Sequence, residues 1–127
     1  MPANDRIGLG RRGENLAVAL LESEGYWIIQ RNWRCAGLGE IDVIAVDPDD
    51  CLVFVEVRAR RGDAYGTPEE SITGDKKARL KLLAELYVQA FAWADDWRID
   101  VVAVEMDSRG RLLRKTHIVN AVTGWDD

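Results

Sequence analysis

Carboxylates interrupt two neighbouring hydrophobic stretches of this chain. Asp42 lies in the segment GEIDVIA, and Glu56 lies in the segment VFVEVR. Burying a charge without a partner is costly, so acids in two such stretches need a reason to be there. Two carboxylates brought together suit a hard divalent cation such as Mg²⁺ or Mn²⁺. The alternative is that both acids lie at a strand end in water, where Arg58 neutralises them.

The elements that would position these acids are two β-strands joined by a turn. The residues 47–50 are rich in turn formers, which predicts a hairpin. Its register sets four pairs of residues opposite each other: Val46 and Leu52, Ile44 and Phe54, Asp42 and Glu56, Glu40 and Arg58. Asp42 and Glu56 would then have Cβ atoms roughly 5 Å apart and would repel each other without a positive charge between them. Because side chains alternate along a strand, Ile41, Val43 and Ala45 should share the opposite face.

Seven elements are expected in the order α-β-β-β-α-β-β. Asn4 or Asp5 caps a first helix that ends near Glu24. Gly8, Gly10 and Gly13 weaken its first turns, so the ordered part of this helix is expected to begin near Arg12. Strands follow at 26–30, 39–45 and 53–58, an exposed loop at 61–74, a long helix at 75–94, and strands at 98–104 and 112–119.

Glu14 is a third acid that belongs with this pair. At helical spacing it shares a face with Ala17, Val18 and Leu21, which suggests that its carboxylate points toward the sheet. It is equally an ordinary glutamate near a helix N-terminus, where the helix dipole favours negative charge. Periodicity supports the two interpretations about equally.

Composition limits the class of protein. The chain has 127 residues and is 47% hydrophobic, so a single domain spanning 1–127 is expected. No apolar run approaches the ~20 residues of a membrane span, so no membrane partner is expected. The N-terminal residues lack a signal-peptide core, and Cys35 and Cys51 show no disulfide or metal-binding spacing, which favours a cytoplasmic protein.

The charge distribution is informative because the net charge of −5 argues against a protein that simply coats nucleic acid. Basic residues concentrate in a few segments: Arg6, Arg11 and Arg12; Arg31 and Arg34; Arg58, Arg60 and Arg61; Lys76, Lys77, Arg79 and Lys81. They are consistent with one basic face on an acidic protein, or with solvated charges scattered over the surface. Trp33, between Arg31 and Arg34, either stacks on an unpaired base or belongs to the core.

A family resemblance rests on segments that cover nearly the whole chain in order: Gly13-Glu14, RNWR at 31–34, GEIDVIA at 39–45, FVEVRAR at 54–60, RIDVV at 98–102 and HIVNA at 117–121. The chain resembles the YraN family of small bacterial proteins. The resemblance implies a restriction-endonuclease-like α/β (α+β) fold, with a mixed central sheet flanked by helices. Archaeal Holliday-junction resolvases are similar small members of that fold.

The resemblance also implies a chemistry, the PD-(D/E)xK pattern of metal-dependent nucleases. Asp42 matches its first acid, Glu56 its second and Glu14 a helix glutamate, and all three would hold Mg²⁺ or Mn²⁺. Arg58 occupies the position of the catalytic lysine. It binds phosphate well but does not act as a general base, so Lys76 or Lys77 is a candidate source of an ammonium group.

The implied function is phosphodiester hydrolysis on DNA, with branched or flapped structures as expected substrates and a homodimer as the expected assembly. Five basic residues are the expected nucleic-acid contacts: Arg31, Arg34, Arg60, Lys76 and Lys77. One alternative is a catalytically lapsed protein of the same fold that binds nucleic acid or a protein partner without cleavage. Another is a partner-binding domain with no nucleic-acid role.

Overall fold

The structure, a computed structural model, describes the backbone of residues 2–62 and 66–122 and the side chains of residues 8–62 and 66–122. The elements are α1 (Pro2–Ser23), β1 (Trp27–Cys35), β2 (Gly39–Val46), β3 (Leu52–Arg61), a 3₁₀ turn at Glu69–Ser71, α2 (Gly74–Ala90), β4 (Trp97–Met106) and β5 (Leu112–Val122). The predicted order of helices and strands is confirmed. None of the helices described is long and apolar enough to cross a membrane.

The strands form one mixed sheet in the order β1-β2-β3-β4-β5. The neighbours are antiparallel except for β3 and β4, which are parallel because α2 carries the chain back between them. The predicted mixed sheet flanked by helices is therefore confirmed. β1 continues to Cys35 and β5 to Val122, beyond the predicted ends of both strands.

The β2–β3 hairpin has the predicted register next to its turn. Val46 pairs with Leu52, and Ile44 pairs with Phe54. The turn is held by Asp47, whose Oδ1 accepts hydrogen bonds from the backbone N–H groups of Asp49 and Cys51 at 2.8 and 2.9 Å. A side chain that bonds the backbone two residues ahead is the usual way in which aspartate fixes a turn.

The predicted pairing fails farther from the turn, because the two strands part. The β2–β3 ladder ends where Val43 pairs with Val55. The next backbone donor on β3 is the N–H of Val57, which donates a hydrogen bond to Asp42 Oδ2 at 2.8 Å. The predicted pairs of Asp42 with Glu56 and of Glu40 with Arg58 are therefore not part of the ladder, and Glu40 lies opposite Arg34 of β1 instead.

The side-chain alternation of β2 also breaks at Asp42. Val43 packs in the core under α1, whereas Ile41 packs with Ile44 in the core under α2. The prediction that Ile41, Val43 and Ala45 share a face is therefore wrong for Ile41. The neighbouring strand β1 has its own irregularity at Asn32, which has a positive φ of 55°. The sheet is thus distorted at the position of the candidate site.

The two helices cover opposite faces of the sheet. Ala17 and Leu21 of α1 pack on one face, and Leu80, Leu83 and Tyr87 of α2 pack on the other. Helix α1 begins at Pro2, earlier than the glycines suggested. Gly13 has a packing role, because a Cβ there would lie 2.7 Å from the Cβ of Ala59 on β3. Helix α2 ends at Ala90 rather than Ala94, and Ala92 has a positive φ of 53°.

Candidate functional site

Two carboxyl groups share a largely buried site where β2 and β3 part. The Glu56 side chain is only 5% exposed, and Asp42 is half-buried. Burial raises the pKa of Asp42 to about 8, and the negative charge of Glu56 is the next largest cause. The Val57 N–H opposes this rise, whereas a hydrogen bond shared with the Glu56 carboxyl adds to it. The environment of Asp42 therefore favours its protonated form, which relieves the repulsion between the two acids.

Two cations face Glu56 from different elements. Arg58 Nε lies 3.2 Å and Lys76 Nζ 3.6 Å from Glu56 Oε2. Lys76 is placed in the first turn of α2 by the N-cap residue Thr73, whose Oγ1 accepts a hydrogen bond from the Lys76 backbone N–H at 3.2 Å. Arg58 Nε is buried without a hydrogen-bond partner, because its approach to Glu56 is poorly aligned for one.

A cavity of about 410 Å³ opens on the α1 side of this site. It is lined by residues of α1, β2 and β3: Leu9, Gly10, Glu14, Glu40, Asp42, Val57, Arg58 and Ala59. Asp42 and Arg58 thus reach both the cavity and Glu56, which does not line the cavity itself.

Glu14 lines the same cavity but is tied to β1. Its Oε1 accepts hydrogen bonds from Arg31 Nε at 2.9 Å and from Asn32 Nδ2 at 3.0 Å. Its charge is the smallest of the causes that raise the pKa of Asp42. Within the part of the chain that the structure describes, no three His, Cys, Asp or Glu side chains group closely enough to hold a metal ion together. The predicted three-acid cluster is therefore present as a pair plus a neighbour.

The predicted basic contacts divide into two groups. Arg31 and Arg34 lie beside Arg11 in a second cavity of about 690 Å³, which shares Glu14 and Glu40 with the first. Arg34 also forms an ion pair with Glu40 at 3.0 Å, whereas Lys76 lies at the acid pair, 3.6 Å from Glu56. The other two lie elsewhere. Arg60 forms an ion pair with Glu105 at 2.6 Å, and Lys77 lines a separate cavity of about 180 Å³.

Trp33 belongs with the core rather than with the basic residues around it in sequence. It is half-buried against the cluster under α2, and its ring contacts Tyr87 edge to face with centroids 5.3 Å apart. The structure thus favours the core alternative for this side chain over stacking on a base. Burial against an aromatic neighbour is the commoner fate of a tryptophan.

A second buried polar cluster lies on the α1 side of β4. Asp100 is fully buried and accepts hydrogen bonds from Arg98 Nε at 3.0 Å and from the Asn120 N–H at 2.8 Å. His117 bridges Asp100 and Glu24 with two contacts of 2.7 Å. Burial opposes the charged form of His117, but the two carboxylates outweigh it and raise its pKa. The acid in the apolar segment RIDVV is the sequence signal for this cluster.

Residues 13–104 match the sequence pattern of the family described as "Uncharacterised protein family UPF0102". The chain belongs to the UPF0102 family. Family membership was predicted above from the resemblance to YraN proteins, and it is confirmed. The family description and the relatives' names give no activity, so they leave the chemistry of the site to be argued from its geometry.

Similar UPF0102 proteins span almost the same length as this chain. The UPF0102 protein of Pelotomaculum thermopropionicum is 48% identical over 120 residues, which cover 94% of this chain and 98% of that protein. The protein of Roseiflexus castenholzii is 45% identical over 119 residues, 92% of this chain and 94% of the relative. The protein of Desulforamulus reducens is 41% identical over 120 residues, 92% of this chain and 97% of the relative.

Proposed function

We propose that this UPF0102 protein is a metal-dependent nuclease that hydrolyses phosphodiester bonds in DNA. The observation that carries the proposal is the buried pair of Asp42 and Glu56, placed where two strands part beside an open cavity. Two carboxyl groups in such a place destabilise a protein, because without a cation they either repel each other or one of them must be protonated. A divalent cation between them would convert this repulsion into binding energy.

The donor set fits a hard divalent cation. Mg²⁺ is commonly held by one or two carboxylates, and water completes its coordination. Burial and the charge of Glu56 favour the protonated form of Asp42, and a cation would take the place of that proton. Asp42 Oδ2 is oriented by the Val57 N–H at 2.8 Å, in the way that outer hydrogen bonds orient metal ligands. The backbone carbonyl of Val57 is a further candidate ligand.

Each charged residue of the site would have its own role in the hydrolysis. When bound, Mg²⁺ or Mn²⁺ would supply Lewis-acid polarisation of the scissile phosphate. Arg58 would bind a non-bridging phosphate oxygen from the cavity side, as a guanidinium does well. Lys76, at 3.6 Å from Glu56, would stabilise negative charge as a mobile ammonium. Glu14, held by Arg31, would orient the attacking water by accepting its hydrogen bond.

Several broader expectations accompany this proposal. The restriction-endonuclease-like fold and the homodimer remain predictions from the resemblance, and the single domain over 1–127 and the cytoplasmic location remain predictions from length and composition. Branched or flapped DNA is the proposed substrate, because the cationic side chains near the acid pair suit phosphate contacts and none of the described elements resembles a sequence-reading motif.

A second candidate function is binding to nucleic acid without cleavage. The observation that favours it is Arg58 at the position where the PD-(D/E)xK chemistry uses lysine. Its guanidinium stays protonated and binds phosphate without exchanging a proton. In this alternative the acid pair holds a cation that only bridges the protein to a phosphate.

Cleavage of a labelled DNA junction in the presence of Mg²⁺ or Mn²⁺ tests the proposal. The purified protein should cut the junction, and chelation of the metal or the substitution Asp42→Ala should abolish the cut. The matched control is Glu40→Gln, which removes an acid from the rim of the same cavity. Metal-dependent binding without any cleavage would select the second candidate, and neither binding nor cleavage would overturn both.

A further inference from the structure

We propose that Arg12 and Arg61 form a clamp for a backbone phosphate of the nucleic acid beyond the acid pair. The two side chains converge on Gly110 in the turn between β4 and β5. A Cβ on this glycine would lie 3.0 Å from Arg12 Nη1 and 3.8 Å from Arg61 Cζ. Two guanidinium groups from different elements thus approach the same glycine. This clamp rests on the proposed function, because it extends the same binding surface.

Unlike six other arginines of the protein, the two arginines of the clamp have no acidic partner among the residues that the structure describes. Six arginines form ion pairs with carboxylates: Arg31, Arg34, Arg58, Arg60, Arg98 and Arg114. Neither Arg12 nor Arg61 has such a pair among the residues described. In a chain with 22 acids and 17 lysines and arginines, surface arginines are easily neutralised. Two that lie together without an acid repel each other, and a bound anion would relieve that repulsion.

The surrounding turn holds Arg61 in place. Arg61 donates from Nε and Nη2 to the carbonyl oxygen of Ser108 at 3.2 and 3.0 Å, which holds its guanidinium against the turn. The nearby acid, Asp107, directs its Oδ1 to the backbone N–H groups of Arg109 and Arg111 at 2.9 and 2.8 Å. Its carboxylate is therefore committed to the turn and does not pair with the clamp.

The position of the clamp identifies a nucleic-acid phosphate as its ligand. Arg61 lies three residues beyond Arg58 on β3, which is about 10 Å along a strand. Arg12 lies two residues before Glu14 on α1, and both Arg58 and Glu14 line the cavity at the acid pair. Because phosphates of one strand are about 3.4 Å apart along the helix axis, the clamp would contact a phosphate about three nucleotides from the bond that is cut.

The test is fluorescence anisotropy of a labelled four-way DNA junction, measured in Ca²⁺ over about 50 to 200 mM salt. Arg12→Gln and Arg61→Gln should each weaken binding about fivefold near physiological salt, and together they should reduce the salt slope by about 2. Arg61→Lys should keep the slope, because it keeps the charge while losing the bidentate contact to Ser108. Lys115→Gln, which removes an exposed cation of β5 without an ion pair among the described residues, is the control and should change binding by less than a single clamp substitution.

The outcomes separate the clamp from the proposed function. If the parent protein binds the junction and the double variant binds it with an unchanged slope, the clamp is wrong and the proposed function stands. If the parent protein does not bind DNA at any salt concentration, both are wrong. If the double variant loses binding to anionic phospholipid vesicles but keeps full binding to DNA, the clamp serves a lipid headgroup and this proposal is overturned.

Discussion

The carboxylate of Asp42 accepts a hydrogen bond from the backbone N–H of Val57 at 2.8 Å, across the gap where β2 and β3 separate. In a continued ladder that N–H would bond to a backbone carbonyl of β2. The side chain takes over this role and, at the same time, faces Glu56. This contact thus lies where the ladder ends, and it orients the acid beside the cavity.

Asp42→Asn should stabilise the protein when no divalent cation is present. The pKa of Asp42 is raised to about 8 in the folded protein, so this acid reduces stability above its ordinary pKa of about 4. The loss should grow as the pH rises from about 4 to 8, because the unfolded chain releases a proton that the folded chain retains. The free energy of unfolding of the variant should exceed that of the parent protein by at least about 1 kcal/mol at neutral pH.

Urea unfolding in chelator at several pH values measures this gain. The difference between the variant and the parent protein should increase with pH across that window. A difference that is constant with pH, or a variant that is less stable at pH 8, would show that the folded protein does not raise the pKa of Asp42.

Lys76 and Lys77 are adjacent in sequence, and they provide a matched pair of substitutions. Lys76 lies 3.6 Å from Glu56, whereas Lys77 lines a different cavity. Lys76→Gln should therefore lower the single-turnover cleavage rate about tenfold or more, because stabilisation of the charge that develops in the transition state is lost. Lys77→Gln should leave that rate unchanged. Equal rates for the two variants would remove Lys76 from the mechanism.

Arg58→Lys should increase the cleavage rate. The substitution removes the buried Nε that has no hydrogen-bond partner, and it supplies a compact ammonium at the position where the chemistry of this pattern uses one. Single-turnover cleavage of the same junction, with Arg58→Gln as the uncharged control, measures the effect. A lysine variant as slow as the glutamine variant would show that the planar guanidinium itself is required.

His117→Gln should destabilise the protein in a pH-dependent way. The pKa of His117 is raised by Asp100 and Glu24 despite its burial, so its charged contacts contribute fully below the unfolded value of about 6.5. This contribution is lost as the pH rises through the higher folded value. We expect the substitution to lower the free energy of unfolding by about 2 kcal/mol at pH 6 and by less at pH 9.

Thermal or urea unfolding at the two pH values provides the comparison, and Lys115→Gln on the same strand is the control. If the effect of His117→Gln were as large at pH 9 as at pH 6, His117 would act through packing rather than through its charge.

The sequence predicted the fold well because its signals are local. The turn formers at 47–50 and the apolar alternation beside them determine the register of Ile44 with Phe54. The separation of the strands was not predictable, because it depends on whether the Val57 N–H bonds to a backbone carbonyl or to the Asp42 side chain. Alternation by itself does not decide between those two acceptors.

The candidate site was predictable in its acids and less so in its cations. Asp42 and Glu56 are conspicuous in apolar strands, but the choice between Lys76 and Lys77 depends on the phase of α2, which Thr73 sets by capping it. The pairing of His117 with Asp100 depends on the register of β5 on β4, where His117 lies opposite Val102. Arg12 and Arg61 meet only because α1, β3 and the β4–β5 turn converge.

The most direct test of the central claim is calorimetric titration of Mn²⁺ into the parent protein, Asp42→Asn and Glu56→Gln. The account predicts binding by the parent protein, and at least about 100-fold weaker binding by each variant, since outer-shell changes alone cost 10- to 100-fold. Glu40→Gln, the control on the rim of the cavity, should bind as the parent does. Equal Mn²⁺ affinity in the parent protein and in Asp42→Asn would contradict the claim that the buried acid pair is a metal site.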